Sequence, residues 1–214
     1  MITIKTFEVN PFPVNCYVIS DESNECCIID CGCFYEQEWN RIQRYITEKG
    51  LTPVHLLNTH MHFDHIMGNG FAARDYKLCT EGSYADYDLY TNPKRQLSEF
   101  MITLNDAPLL PPMGRTLNGG DCIHFGSHTM TVLATPGHSK GGLCYYIAEE
   151  DILFSGDTLF CGTIGRTDLS GGDFHEIIRS ITEQLLTLPA NTRVFPGHGP
   201  QTTIGTESAS NAYL

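Results

Sequence analysis

Basic residues are scarce in this chain. Lys and Arg number 13 against 25 Asp and Glu, a formal net charge of −12 over 214 residues. Unaided binding to nucleic acid or to an anionic membrane draws its affinity from clustered Lys and Arg, so both partner classes are disfavoured. Long apolar runs are also missing, and none approaches the ~20 residues that cross a bilayer. The opening Met1-Ile2-Thr3-Ile4-Lys5 goes directly into alternation, without the apolar stretch and small-residue cleavage site of a secretory signal. No internal repeat, low-complexity segment or linker interrupts the sequence. With 41% hydrophobic residues it reads as one domain, 1–214, large enough to bury a sizeable core.

Nine cysteines are present, but the paired C-x2-C spacing of a zinc ribbon is not. Cys16, Cys27, Cys79, Cys122 and Cys144 lie within or beside apolar runs, which suits reduced, mostly buried thiols in a cytoplasmic protein. Cys26-Cys27 and Cys31-Gly32-Cys33 are not taken as metal ligands.

Strand patterns occur at 3–7, 15–19 and 26–30. Glu36 to Lys49 reads as a helix with Trp39, Ile42, Tyr45 and Ile46 on one stripe and Gly50 as its stop. The strand at 54–59 runs into a histidine cluster. A helix at 69–76 and a short strand at 77–79 follow. Residues 81–118 are irregular and read as a helical insert or a flap. Tyr84, Tyr87 and Tyr90 within it suit one packed helical face better than a cover over a site. Strands return at 121–125, 129–134, 143–148 and 152–155. Asp173 and Glu176 form a capping-box pattern that opens a helix with Phe174, Ile177, Ile178, Ile181 and Leu185 inward. A last strand spans 193–195. Two sheets covered by outer helices fit this order.

The decisive feature is Thr59-His60-Met61-His62-Phe63-Asp64-His65. In an extended loop, alternation leans His60, His62 and Asp64 to one side, while His65 faces a second point. Imidazole and carboxylate together suit Zn2+, iron or manganese, and four donors on one short loop suggest two neighbouring ions. Three further candidates sit where strand patterns stop at small-residue turns: His138 in Thr135-Pro136-Gly137-His138-Ser139, Asp157 in Ser155-Gly156-Asp157, and His198 in Pro196-Gly197-His198-Gly199. Seven donors divide into two sets of three with one bridging carboxylate. His55, His124, His128 and His175 lack such context and are left as ordinary core or surface residues.

With H-x-H-x-D-H at 60–65, G-H at 138, G-D at 157 and P-G-H-G around 198, the sequence resembles the metallo-β-lactamase-fold hydrolases. Phe12-Pro13-Val14-Asn15-Cys16-Tyr17, Gly165-Arg166-Thr167-Asp168-Leu169 and Gly171-Gly172-Asp173 make it most similar to small, single-domain glyoxalase II-like proteins. The resemblance implies an α+β, four-layer αββα sandwich with a dinuclear metal site at one edge. It implies two divalent ions per chain, Zn2+ first, with iron or manganese as alternatives. His60, His62 and His138 would hold one ion, Asp64, His65 and His198 the other, and Asp157 would bridge them. In true β-lactamases of this fold the bridging position is Cys, so Asp157 speaks against antibiotic hydrolysis. The C-terminal helical domain that larger glyoxalase II enzymes use to bind glutathione is not expected here. Arg166 stands at the place of a basic residue that holds the glutathione glycine carboxylate in that family; a loop salt bridge with Asp168 is the alternative.

The activity implied is hydrolysis of a small-molecule S-acyl thioester by a metal-bridging hydroxide, with Asp64 and Asp157 as the catalytic carboxylates. A Cys nucleophile lacks a Gly-rich elbow and an unclaimed His. The nearest rival is a persulfide dioxygenase with one Fe(II) on His60, His138 and Asp157. A lactonase and a non-catalytic metal-binding module rank lower, because structural zinc sites are closed four-donor sets.

Overall fold

The computed structural model describes residues 1–103 and 109–214. Two six-stranded sheets lie face to face. The first contains β1 (Thr3–Val9), β2 (Val14–Ser20), β3 (Glu25–Ile29), β4 (Thr52–Leu57), β5 (Thr80–Gly82) and β6 (Met113–Thr116) in sequence order. β1 to β3 form an antiparallel meander, and β4 to β6 add in parallel. The second sheet is ordered β14 (Thr202–Thr203), β13 (Arg193–Pro196), β10 (Ile152–Gly156), β9 (Leu143–Ile147), β8 (His128–Ala134), β7 (Cys122–Phe125). A small hairpin, β11 (Leu159–Phe160) and β12 (Thr163–Ile164), stands apart.

Alternation in the strands builds the layers. Tyr17, Ile19, Cys27 and Ile29 face Phe125, Val132, Tyr145 and Phe154 in the core between the sheets. The opposite face of the first sheet buries Val18, Ile28 and Leu56 against Trp39, Ile42 and Ile46 of α1 (Glu36–Lys49) and Phe71 of α3 (Asn69–Tyr76). The outer face of the second sheet buries Leu153 and Val194 under α6 (Phe174–Ser180) and the π-helical turn that extends it to Leu185. The expected αββα sandwich is therefore present, and the helices at 36–49 and 69–76 fall within the residues assigned from sequence.

Differences have local causes. Lys77 takes a left-handed conformation (φ 61°) that ends α3, so the next strand starts at Thr80 instead of 77. Phe174 points outward, 47% exposed, because it is the first residue of its helix and precedes the inward stripe. Asp173 caps that helix by accepting from Glu176 N–H, but its own N–H donates to the Gly137 carbonyl, so only half of the capping box forms. Cys79 and Cys122 are exposed, as is Cys161, because they sit at strand borders; the other six thiols are buried.

The irregular stretch resolves into α4 (Tyr87–Thr91), α5 (Pro93–Glu99) and β6. Residues 104–108, with the first proline of the 108–112 run, lie outside the described residues. Tyr84 and Tyr87 stack on each other in solvent with ring centroids 4.5 Å apart. Tyr90 alone packs inward, its hydroxyl donating to the Pro111 carbonyl at 2.6 Å. No helix among the described residues is long and apolar enough to cross a membrane.

Candidate metal centre

Strand direction collects the site. β8, β10 and β13 run the same way, since β10 pairs in parallel with β13 and β9 runs antiparallel between β10 and β8. Their C-terminal ends therefore share one edge. His138 lies in the loop after β8, Asp157 directly after β10, and His198 two residues after β13. β4 of the facing sheet ends at Leu57 and delivers His60 to the same edge.

The histidine loop departs from simple alternation. His62 is extended (φ −67°, ψ 147°) and caps α2 (Phe63–Ile66), a single helical turn that contains Asp64 and His65. Successive helical residues point about 100° apart, so Asp64 leaves the His60 and His62 side and joins His65. Three donor groups form: His60, His62 and His138; His60, His65 and Asp157; and Asp64, His65 and His198, each with donor atoms within 4.8 Å of one another. His62 Nδ1 lies 2.9 Å from His138 Nε2, and His65 Nε2 lies 3.3 Å from His198 Nε2. Asp157 stands between the clusters: Oδ2 is 3.5 Å from His138 Nε2 and 3.4 Å from His198 Nε2, and Oδ1 is 3.5 Å from His65 Nε2.

Glycine is required by geometry at all three of these turns, and at two of them the atoms in the way belong to the donor loop or to the donors themselves. Gly156 has φ 49°, and a Cβ there would strike Thr59. At Gly197 a Cβ would overlap the Asp157 carboxylate and crowd the His65 ring.

Burial pushes the His60 imidazole well below its ordinary pKa and that of His62 down to about 3, with neighbouring imidazoles adding to the effect. These rings are neutral and ready to donate a lone pair. Burial also opposes charge on His65 and His198. It is outweighed by Asp157, Asp30 and Asp64 at His65, raised to about 9, and by hydrogen bonds to Asp157 and Asp64 at His198, raised to about 11. Burial alone would raise Asp64 and Asp157, yet the adjacent His65 and His198 hold both below the usual carboxylate range. Two buried atoms that face the cluster, His60 Nε2 and Asp157 Oδ1, have no hydrogen-bond partner; His65 Nδ1, turned the other way, makes a 3.0 Å ion-pair contact with Asp30 without hydrogen-bond geometry. Such atoms are costly unless satisfied, and a divalent cation among these donors satisfies both. The donor set thus fits divalent metal.

Two carboxylates outside the donor set expected from sequence hold the donors in place. Asp30, with φ 52°, accepts from Thr59 N–H and Oγ1–H at 2.8 and 2.7 Å, and its Oδ2 lies 3.0 Å from His65 Nδ1. That contact orients Nε2 toward the cluster. Asp86 is 2% exposed and joins two donor loops. It accepts from Met61 N–H, between His60 and His62, and from Ser139 Oγ–H and Gly141 N–H, just after His138. Its burial raises its pKa. Asp30 was open to detection, since it ends an apolar run two residues before a glycine; Asp86 sits in a 3-10 turn without pattern.

The family model described as Metallo-beta-lactamase superfamily matches residues 9–198. The chain belongs to the metallo-β-lactamase superfamily. Relatives in this superfamily include "Probable metallo-hydrolase YqgX" of Bacillus subtilis, 38% identical over 96% of this chain and 94% of that protein. "Hydroxyacylglutathione hydrolase GloC" of Haemophilus influenzae is 34% identical over 100% of this chain and 98% of its own. Among solved structures, the B3 metallo-β-lactamase BLEG-1 matches with TM-score 0.89 and 33% identity, covering 99% of both chains. TTHA1623 in a di-iron-bound form matches with TM-score 0.85 and 34% identity over 98% of this chain and 100% of that one. ETHE1 from Myxococcus xanthus matches with TM-score 0.77 and 26% identity over 98% and 83%.

Elsewhere in this metallo-β-lactamase fold, the Arg166 guanidinium forms a bidentate pair with Asp168 at 2.7 Å, the salt-bridge alternative, while its side chain also borders the cleft. Its carbonyl lies 2.7 Å from His138 Nδ1, which turns Nε2 toward Asp157. Neither Tyr84, Tyr87 nor Tyr90 lines the cleft beside the donors. His55 and His128 pair with Glu81 and Asp21, away from the donor cluster.

Proposed function

We propose that this chain is a metal-dependent thioester hydrolase of glyoxalase II-like type, acting on a small-molecule S-acyl substrate within the single domain 1–214. In this reading His60, His62 and His138 hold one divalent ion, Zn2+ first. Asp64, His65 and His198 hold a second, and Asp157 is shared. The observation that carries it is the position of the Asp157 carboxylate between two complete donor triplets. When bound, such ions supply a Lewis acid for the carbonyl and lower the pKa of water.

The chain's own residues do the remainder. Asp64 Oδ2, 3.5 Å from His198 Nε2 and with its side chain 13% exposed, would orient the attacking water at the cleft floor by accepting a hydrogen bond from it. The Asp30 carboxylate and the Arg166 carbonyl keep His65 and His138 aimed inward, so no reorganisation is needed during reaction. Water's oxygen joins the acyl carbon, the C–S bond breaks, and the two protons are shared between the thiol and the medium.

The test loads the protein separately with Zn2+, Mn2+ and Fe2+ and offers S-D-lactoylglutathione, other thioesters, lactones and a β-lactam. Metal is counted per chain, and oxygen uptake is followed with glutathione persulfide. Thioester turnover with two ions per chain and no oxygen uptake supports the proposal. One iron with oxygen uptake transfers the assignment to a dioxygenase, and inertness toward every acyl substrate removes the hydrolase reading.

A further inference from the structure

The cleft over the donors, about 380 Å³, has one wall made of aromatic rings. Phe12 from the β1–β2 turn, Phe63 from α2 and Phe100 just past α5 contact one another pairwise. Their ring centroids are 5.2 Å apart for Phe12 and Phe63, 5.9 Å for Phe12 and Phe100, and 5.2 Å for Phe63 and Phe100. Phe34 packs behind them at 6.0 Å from Phe63. Three distant segments thus brace one another, so the wall exists before any ligand arrives. Phe63 lies between His62 and Asp64 in sequence, so the wall begins at the donors themselves. Phe12 and Phe100 are half-buried and keep ring surface toward the cleft.

The buried polar group on this wall is committed elsewhere, and its charged groups stand exposed at the rim. Both ends of the Gln96 amide are used on backbone: Oε1 accepts from Phe63 N–H at 3.1 Å, and Nε2 donates to the Met61 and Leu89 carbonyls at 3.1 and 2.9 Å. Arg95 is paired with Asp88 at 2.7 Å. Glu99 adds an exposed carboxylate, which disfavours an anion. A hydroxyacyl or peptide group laid on the three rings and the committed Gln96 amide would lose water and gain no partner there, whereas a hydrocarbon gains by leaving water.

We infer that the preferred substrates carry a hydrocarbon acyl group, aliphatic or aryl, seated against Phe12, Phe63 and Phe100. The inference rests on the thioester-hydrolase reading for its reaction and on the wall alone for its ligand class. An apolar wall does not strongly reject an added hydroxyl, so the signature is a gain with hydrocarbon length, not exclusion of lactoyl groups.

Two arms test it. In the first, kcat/KM is measured for acetyl, butyryl, hexanoyl and octanoyl thioesters of one small thiol, and for a series of thiols bearing one acetyl group. It should rise about threefold per methylene until the wall is covered in the acyl series, and stay flat in the thiol series. Phe12→Ala and Phe100→Ala should each lower the octanoyl-to-acetyl ratio about tenfold, and Phe12→Leu should restore most of it. A flat acyl series, a rise in the thiol series instead, or a ratio unmoved by the alanine variants overturns the inference.

The second arm needs no turnover. Binding of octanoate, phenylacetate, acetate and lactate to the metal-loaded protein is measured by calorimetry. Octanoate and phenylacetate should bind at least tenfold tighter than acetate and lactate, with the difference reduced in Phe12→Ala. If that preference is seen while no thioester is cleaved, the ligand class stands and the hydrolase reading falls. If thioesters are cleaved but octanoate binds no better than acetate, the hydrolase reading stands and the ligand class falls.

Discussion

At the scale of single residues, His138 and Asp86 separate donating from positioning. His138 Nε2 lies 2.9 Å from His62 Nδ1 and 3.5 Å from Asp157 Oδ2. If the proposed two-ion site holds, His138→Ala is expected to lower bound metal from two toward one per chain and to cut turnover at least about 100-fold, since loss of supporting groups already costs 10–100-fold. Elemental analysis beside steady-state kinetics checks this. Asp86 donates nothing to metal but fixes the spacing of the two loops that supply His60, His62 and His138. Asp86→Asn should weaken binding at that triplet by about 10–100-fold while the Asp64, His65 and His198 set keeps its ion, a split visible in a two-site metal titration. Asp86→Ala should in addition lower stability by about 1–3 kcal/mol, because buried neutral donors lose their acceptor. The seven residues that gather at this edge were legible in sequence, because metal chemistry would demand particular residue types at strand ends. Asp86 was not, because its role depends on two loops 53 and 25 residues away meeting across the sheets.

At the scale of elements, turns join what strands alone leave separate. Asp21, after β2 of the first sheet, accepts from Ser127 N–H at 2.8 Å and lies 3.0 Å from His128 Nδ1, both at the β7–β8 turn of the second. Burial would raise its pKa, but hydrogen bonds from Ser23, Ser127 and His128 hold it well below the usual carboxylate range. A folded-state pKa below the unfolded value of about 3.9 stabilises above that pH and is lost as pH falls through the folded value. Asp21→Asn should therefore cost about 2 kcal/mol at pH 7, with the gap from wild type closing below about pH 4. Thermal melts across that range would show it, and a gap that does not narrow at all between pH 4 and pH 2 would contradict this role. Helix α1 was readable from its stripe and its Gly50 stop, which takes φ 64°. The β11–β12 hairpin and α7 (Ile204–Ser210) were not, since two-residue strands and a seven-residue helix carry too few periods to register.

For the whole molecule, the three main apolar clusters stabilise the sandwich independently of the donor edge. Removing metal should leave the fold intact but less stable. At ligand concentrations about 100-fold above Kd, binding contributes about 2.7 kcal/mol. Chelation should therefore lower Tm by about 5–10 °C for a domain of this size, with recovery on adding Zn2+ and a smaller effect in His138→Ala. Differential scanning calorimetry with and without chelator checks it, and unfolding of the chelated protein at 25 °C would contradict it.

The sequence by itself determined the donor types, the turns that end their strands, and the two hydrophobic periodicities that make sheets and covering helices. These are local properties, set by side-chain chemistry and backbone freedom. The tertiary structure alone decided how the donors are grouped: one helical turn moved Asp64 away from His60 and His62, and the parallel pairing of β10 with β13 set Asp157 beside His198. It also decided the aromatic wall, since Phe12, Phe63 and Phe100 share no period and meet only when the loops above the sheet edge close together.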